Sequence, residues 1–199
     1  MSGQGNEEQA ENFISDQALI GQIAAADPRA LEILYQRHCL AILRYLLGQG
    51  VDNAQAEEIL QDVMLAVWRS AAAFRGESRV RSWLISIARH RVINWQTRQA
   101  QPSAGDKTAV DDPERIAADD LPLIEVAITI SEQVQIRAAI QQLPAAQRET
   151  LELIFYHALS GPEAAQVLGV AHGTIKSRLH RALVTLRHLL EELKISHES

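Results

Sequence analysis

The sequence predicts an all-α protein built as two small helical domains joined by a flexible acidic linker. Three observations carry that prediction. Apolar residues recur at three- and four-residue spacing through most of the chain, the period of a helix with one buried face. The chain is 47% hydrophobic but only 5% aromatic, which suits helices packed through aliphatic side chains. Residues 100–132 break the periodicity: they hold eight acids against two bases, and Pro102, Pro113 and Pro122 all fall there. At 199 residues the chain has room for one large domain or two small ones.

The first segment, residues 1–15, reads as a disordered tail. Its start, MSGQGNEEQAEN, is polar and acidic, unlike a signal or transit peptide. A helix is expected over residues 16–26, with Leu19, Ile20 and Ile23 inward, stopped at Asp27 and Pro28. A longer one follows over residues 28–47, where Leu31, Leu34, Tyr35, His38, Ile42, Tyr45 and Leu46 repeat at helical spacing; Gly48, Gln49 and Gly50 end it. The third, residues 53–73, sets Ile59, Leu60, Val63, Val67 and Trp68 against an opposite side carrying Glu57, Glu58, Gln61 and Asp62. Residues 74–78 (FRGES) form a loop whose Ser78 caps a fourth helix reaching residue 99.

That fourth helix, SRVRSWLISIARHRVINWQTRQ, buries Val80, Leu84, Ile87, Ala88 and Trp95, and places Arg79, Ser82, Ser86, Arg89 and His90 on the opposite side. Residues 75–98 hold six arginines and one acid, in a chain of net charge −6 whose first 62 residues carry ten acids and three bases. Trp83 and Trp95 lie among the arginines. Single-stranded DNA calls for such a surface: cations hold phosphates and rings stack bases, at ~1–3 kcal/mol per base. The plainer alternative is core tryptophans with arginines solvating the helix. Periodicity favours it for Trp95 and leaves Trp83 undecided.

After the linker, helices resume at residue 131 with Val134, Ala138 and Ile140 to Leu143 inward. Pro144 starts another, whose inward stripe is Leu151, Ile154, Phe155 and Ala158. Residues 160–190 read as two helices joined by a tight turn. Ser160 and Glu163 have capping-box spacing, Pro162 sits in the first turn, and Gly169 follows Leu168, where a helix end favours positive φ. The second helix of this unit has the stripe Ile175, Leu179, Ala182, Leu183 and Leu186. Ser177, His180 and Arg181 point away from it, flanked by Lys176 and by Thr174 with Arg178. Residues 172–187 hold four Lys/Arg and no acid. A helix anchored by one face with a basic, hydrogen-bonding face outward suits the DNA major groove. An ordinary solvated helix would show the same amphipathicity, but not the capped, small-residue turn beside it.

Several classes are disfavoured. No apolar run approaches the ~20 residues that cross a bilayer, so no membrane insertion is expected and the protein reads as cytoplasmic. Cys39 is the only cysteine, which rules out an internal disulfide or a four-cysteine zinc site; it reads as a small buried hydrophobe. The seven histidines lack metal-ligand spacing; His157, His180 and His188 read as surface or groove residues. No glycine-rich phosphate loop or nucleophile–base pattern appears, so neither an enzyme nor a cofactor is expected. No 20–50-residue period recurs.

The order EEILQDVMLAVW, FRGESRVRSWLISIARHRVINW, a linker, LPAAQRETLELIF and LSGPEAAQVLGVAHGTIKSRLHRA resembles bacterial RNA polymerase sigma factors of the extracytoplasmic-function (ECF, group IV) type of the sigma-70 family. These keep only regions 2 and 4. The resemblance implies a region 2 domain at residues 16–99, an acidic linker at 100–130 and a region 4 domain at 131–195. It implies that Glu58, Gln61, Asp62, Leu65 and Trp68 dock on the β′ clamp helices of the polymerase core. It further implies that the loop of Phe74, Arg75 and Ser78 captures a flipped base of the −10 element. The following helix, with Arg79, Trp83, Arg89 and His90, would then hold the melted strand. Lys176, Ser177, His180 and Arg181 would read the −35 element, with Thr174 and Arg178 on phosphates. Region 4 would also meet the β flap, the linker would run toward the RNA-exit path, and an anti-sigma factor would be a partner. His90 and Asn94 stand where many relatives have Asn and Asp, Leu183 replaces a common Arg, and Gly161 with Pro162 replaces a usual aromatic–acid pair. A competing reading is a stand-alone helix-turn-helix regulator with residues 16–98 as a sensing or dimerising domain; binding to core polymerase separates the two.

Overall fold

The structure, a computed structural model, describes residues 14–100 and 130–197. Residues 1–13 of the expected tail and most of the expected linker lie outside them, while Ser15, expected in that tail, caps the first helix. Among the described residues all regular structure is helical: α1 (Asp16–Ala24), α2 (Pro28–Gly48), α3 (Asn53–Ser70) with a 3-10 turn at Ala71–Ala73, α4 (Val80–Ala100), α5 (Ile130–Gln141), α6 (Ala145–Phe155), α7 (Gly161–Leu168) and α8 (His172–His197).

The first three helices start at polar caps. Ser15 Oγ accepts from Ala18 N at 3.2 Å, Asp27 Oδ1 from Arg29 N at 2.9 Å and Asp52 Oδ1 from Gln55 N at 2.8 Å. α1 ends two residues earlier than expected, because Ala26 turns to φ 65° and closes the chain back on Ile23 O. At α4 it is Arg79, not Ser78, whose carbonyl accepts the first helical bond, from Trp83 N at 3.1 Å.

α1 to α4 enclose a core of Leu19, Ile23, Leu34, Ile42, Tyr45, Leu46, Val63, Val67, Leu84 and Ile85, each at most 2% exposed. Trp68, Trp83 and Trp95 are partly buried at its edge. Asp16 ties α1 to α2, accepting from Arg37 Nη1 at 2.9 Å and pairing with His38 Nε2 at 2.7 Å. α5, α6 and α8 form a second cluster around Ile140, Leu143, Leu151 and Ala182.

The two groups are not separate. Leu153, Leu159, Ala164, Ala165, Val167, Leu168 and Ile175 bury themselves in the same cluster as the first bundle. α7 lies against α4. α6 is therefore sandwiched: Leu151 faces its own domain and Leu153 faces the other. That corrects the single stripe read for α6. Phe155 is 54% exposed and Ala158 lies beyond the helix end, whereas Thr150, Glu152 and Leu153 are buried. One-face periodicity does not hold for a helix with two packing partners. Further expectations change: Ala138, expected inward, is exposed, and Ala139 is buried in its place. His157 is buried, not on the surface; Leu183 is exposed, outside the stripe of α8; and Cys39 is only half-buried.

Candidate nucleic-acid and partner interfaces

The C-terminal unit forms as its sequence signals require. Ser160 N donates to Glu163 Oε2 at 2.8 Å, and Ser160 Oγ accepts from Glu163 N at 3.5 Å. Gly169 ends α7 at φ 65°, and Val170 N reaches back to Ala165 O at 3.1 Å. This left-handed closure throws the chain sharply into α8. A Cβ at Gly161 would lie 2.7 Å from His172 Nε2, the tip of an exposed side chain that can turn aside. Ile175 and Ala182 anchor α8. Lys176, Ser177, His180 and Arg181 are exposed together, with Thr174 and Arg178 half-buried at the margins. The Ser177 hydroxyl donates to Thr174 O at 3.0 Å.

On α3, Glu58, Gln61, Asp62 and Leu65 are all exposed at i, i+3, i+4 and i+7, one stripe of the helix, and Leu65 keeps 45% of its surface open. Trp68, one turn on, is half-buried against the core. The stripe is mixed acidic and apolar, held on a helix whose other face is fully packed.

The loop before α4 is pressed against α1. Gly76 takes φ 72°, and a Cβ there would lie 2.5 Å from Gln17 Nε2. Phe74 and Trp83 meet with ring centroids 4.8 Å apart at 42°. Arg75, Arg79 and His90 are exposed. Of the remaining residues of the expected strand-holding face, Ser82 is buried and Phe74, Ser78, Trp83, Ser86 and Arg89 are half-buried. Ser82 is only 2% exposed, under α7, and its hydroxyl is satisfied by Arg79 O at 2.8 Å. Ser78, Ser82, Trp83 and Ser86 line one side of a 210 Å³ cavity whose other side is Gln166 and Val167.

Arg89 Nε donates to Glu149 Oε1 at 3.0 Å, and the Tyr45 hydroxyl donates to the same oxygen at 2.8 Å. Burial, then the Glu149 charge, pushes the Tyr45 phenol far up. Gln49 Nε2 donates to Glu152 Oε2 at 3.4 Å, and burial lifts the Glu152 carboxyl to about 7. His157 packs edge-on to Tyr45 at 5.6 Å. Burial, then Arg81 and Arg44, lowers its imidazole to about 4. His157 Nδ1 and Arg81 Nε are both buried without a hydrogen-bond partner. At the far end, Arg79 Nε lies 3.4 Å from Glu163 Oε1. Burial raises the Glu163 carboxyl, but the Ser160 hydrogen bonds and Arg79 outweigh it and hold the group below its usual range.

Sequence reasoning placed the basic faces but missed Tyr45, Glu149 and Glu163 as their partners. Arg89 and Glu149 are sixty residues apart, and no local pattern marks either for the other. Among the described residues no cluster of His, Cys, Asp and Glu could hold a metal, and no helix is long and apolar enough to cross a membrane.

Residues 34–101 match the family Sigma-70 region 2, and residues 133–186 match Sigma-70, region 4. The chain is 31% identical over 182 residues to the ECF RNA polymerase sigma factor SigL of Mycobacterium tuberculosis, covering 90% of this chain and 99% of that protein. It is 35% identical over 162 residues to the ECF RNA polymerase sigma factor RpoE of Cereibacter sphaeroides, covering 81% and 86%. In fold it is similar to CnrH, solved in complex with the cytosolic domain of CnrY, with TM-score 0.64 and 24% identity over 89% of this chain and 97% of that one.

Proposed function

Because the chain belongs to the ECF-type sigma factors of the sigma-70 family, we propose that it divides promoter recognition between the exposed faces of α8 and α4 and polymerase docking to α3. It binds RNA polymerase core and directs it to specific promoters to initiate transcription, and its partners are the core, promoter DNA and an anti-sigma factor. It supplies selectivity and strand separation; bond formation belongs to the core, in the cytoplasm.

On α8, Lys176, Ser177, His180 and Arg181 face base edges of the −35 duplex, where each good bidentate pair discriminates by about 1–3 kcal/mol. Thr174 and Arg178, at the margins, fit phosphates. On α4 and its loop, Phe74, Arg75, Ser78, Arg79, Trp83, Arg89 and His90 serve the opened −10 strand. An extruded base costs a few kcal/mol in lost stacking, which contact with aromatic rings and phosphate neutralisation offset. Glu58, Gln61, Asp62 and Leu65, backed by Trp68, give the core an acidic stripe with an apolar end. Region 4 also meets the β flap.

The observation that carries this reading is the outward stripe of α3 in the same chain as the outward basic face of α8. A stand-alone regulator needs only the second. Purified chain should co-purify with core polymerase, and Leu65→Glu should release it while leaving the helical circular dichroism intact. Failure of the unaltered chain to bind core would favour the stand-alone regulator.

A further inference from the structure

A base drawn out of the stack is read by two kinds of surface: aromatic faces that stack it and polar groups that meet its edge. The loop at residues 74–78 supplies the first. Phe74 and Trp83 have ring centroids 4.8 Å apart, and Phe74 N donates to Ala71 O at 3.1 Å, which fixes where the loop departs. Arg75 and Arg79 are exposed beside it as cations for phosphates. The loop's own neutral polar side chain is Ser78, half-buried. A group offering donor and acceptor together comes from α1, which lies ahead of the residues matched to region 2. Gln17 sends its amide to the loop: Nε2 would lie 2.5 Å from a Cβ at Gly76, and the missing side chain there, at φ 72°, leaves the amide that room. Gln17 is exposed, and among the described residues no hydrogen bond engages its amide. The backbone that carries it is held. Its neighbour Asp16 accepts from Arg37 Nη1 at 2.9 Å and pairs with His38 Nε2 at 2.7 Å, and Arg37 Nη1 also donates to Ile14 O at 2.6 Å. Leu19 and Ile20 are buried in the core one turn on.

We infer that Gln17 is a further contact to the opened −10 strand: its amide meets the edge of the base that the loop of Phe74, Arg75 and Ser78 captures. The inference rests on the reading of that loop as the base-capturing one. The glutamine amide carries an acceptor oxygen beside two donor hydrogens, so it satisfies a base edge that presents a donor next to an acceptor. A base with another pattern forfeits one of those hydrogen bonds. Gln17 therefore discriminates at one position, while affinity for the strand as a whole stays with the arginines.

The test uses holoenzyme assembled from core polymerase and the full chain. A genomic fragment that the unaltered holoenzyme transcribes is made into templates with each −10 position varied to all four bases, and the run-off products are counted by sequencing. Gln17→Ala should reduce base preference at a single −10 position by roughly three- to ten-fold, the worth of one hydrogen bond, and leave the other positions as they were. Gln17→Glu only accepts, so it should favour adenine or cytosine there relative to Gln17→Ala, because each of those bases presents an amino group. Both variants should keep the helical circular dichroism of the unaltered chain, since Gln17 is exposed. Unchanged preferences overturn the contact. So does an equal loss at every −10 position, and so does Gln17→Glu indistinguishable from Gln17→Ala. In each of these cases the unaltered chain still drives transcription, and the sigma-factor reading stands. If the unaltered chain drives transcription from no fragment, that reading falls and the inference with it.

Discussion

At the residue scale, the buried titratable pair at the domain junction makes stability depend on pH in two opposed ways. His157 titrates near 4 in the folded chain against 6.5 ordinarily, because burial, Arg81 and Arg44 disfavour its charged form. The unfolded chain therefore binds more protons between those values, and stability falls as pH drops from 6.5 toward 4. Glu152 titrates at about 7 against 4.5, because burial disfavours its carboxylate. There the folded chain binds more protons, so stability falls as pH rises from 4.5 toward 7. Urea unfolding should show His157→Gln with a shallower acid loss. Glu152→Gln should gain stability at pH 8, by on the order of 2–3 kcal/mol if Gln49 keeps its hydrogen bond. On the DNA face, Arg181→Ala should cost ~1–3 kcal/mol of binding at one −35 position. Loss spread equally over all sequences, read by competition with altered duplexes, would make Arg181 a phosphate contact.

At the element scale, Gly169 is the joint that aims α8. A Cβ there meets nothing within 4 Å, so Gly169→Ala tests backbone conformation alone. At φ 65° it should lower stability by about 1 kcal/mol in thermal or urea unfolding. This joint was fully legible in the sequence, because the box of Ser160 and Glu163 and the glycine are local signals. So was the inward face of α3, where one helix meets one core. α6 was not. Leu151 and Leu153 enter different clusters, and Glu152 between them is buried, so no single stripe exists to be read. On α4, Val80, Leu84 and Ala88 followed the period, but Ile85 and Val92 are buried too and Ser82 is covered by α7. Trp95, expected in the core, packs partly buried at its edge. Trp83, left undecided, leans on Phe74 and borders the cavity under α7.

At the scale of the whole molecule, fold class and the order of the two helical groups followed from periodicity and charge segregation, while their closure on one another did not. Closure is made by residues far apart in sequence, such as Tyr45 with Glu149 and His157. The molecule then has a tightly anchored basic helix facing outward at one end and a second basic helix partly shielded at the other. Trp83→Ala should leave duplex promoter binding by the holoenzyme intact and impair strand opening, read by permanganate reactivity of thymines around −10. Normal reactivity would remove Trp83 from the opening step. The most direct measurement is run-off transcription: the purified full chain is added to sigma-free core polymerase on genomic fragments. Discrete transcripts that require the chain, and that fade with Arg181→Ala and Leu65→Glu, are the expected result. No chain-dependent transcript from any fragment would contradict a promoter-specificity subunit.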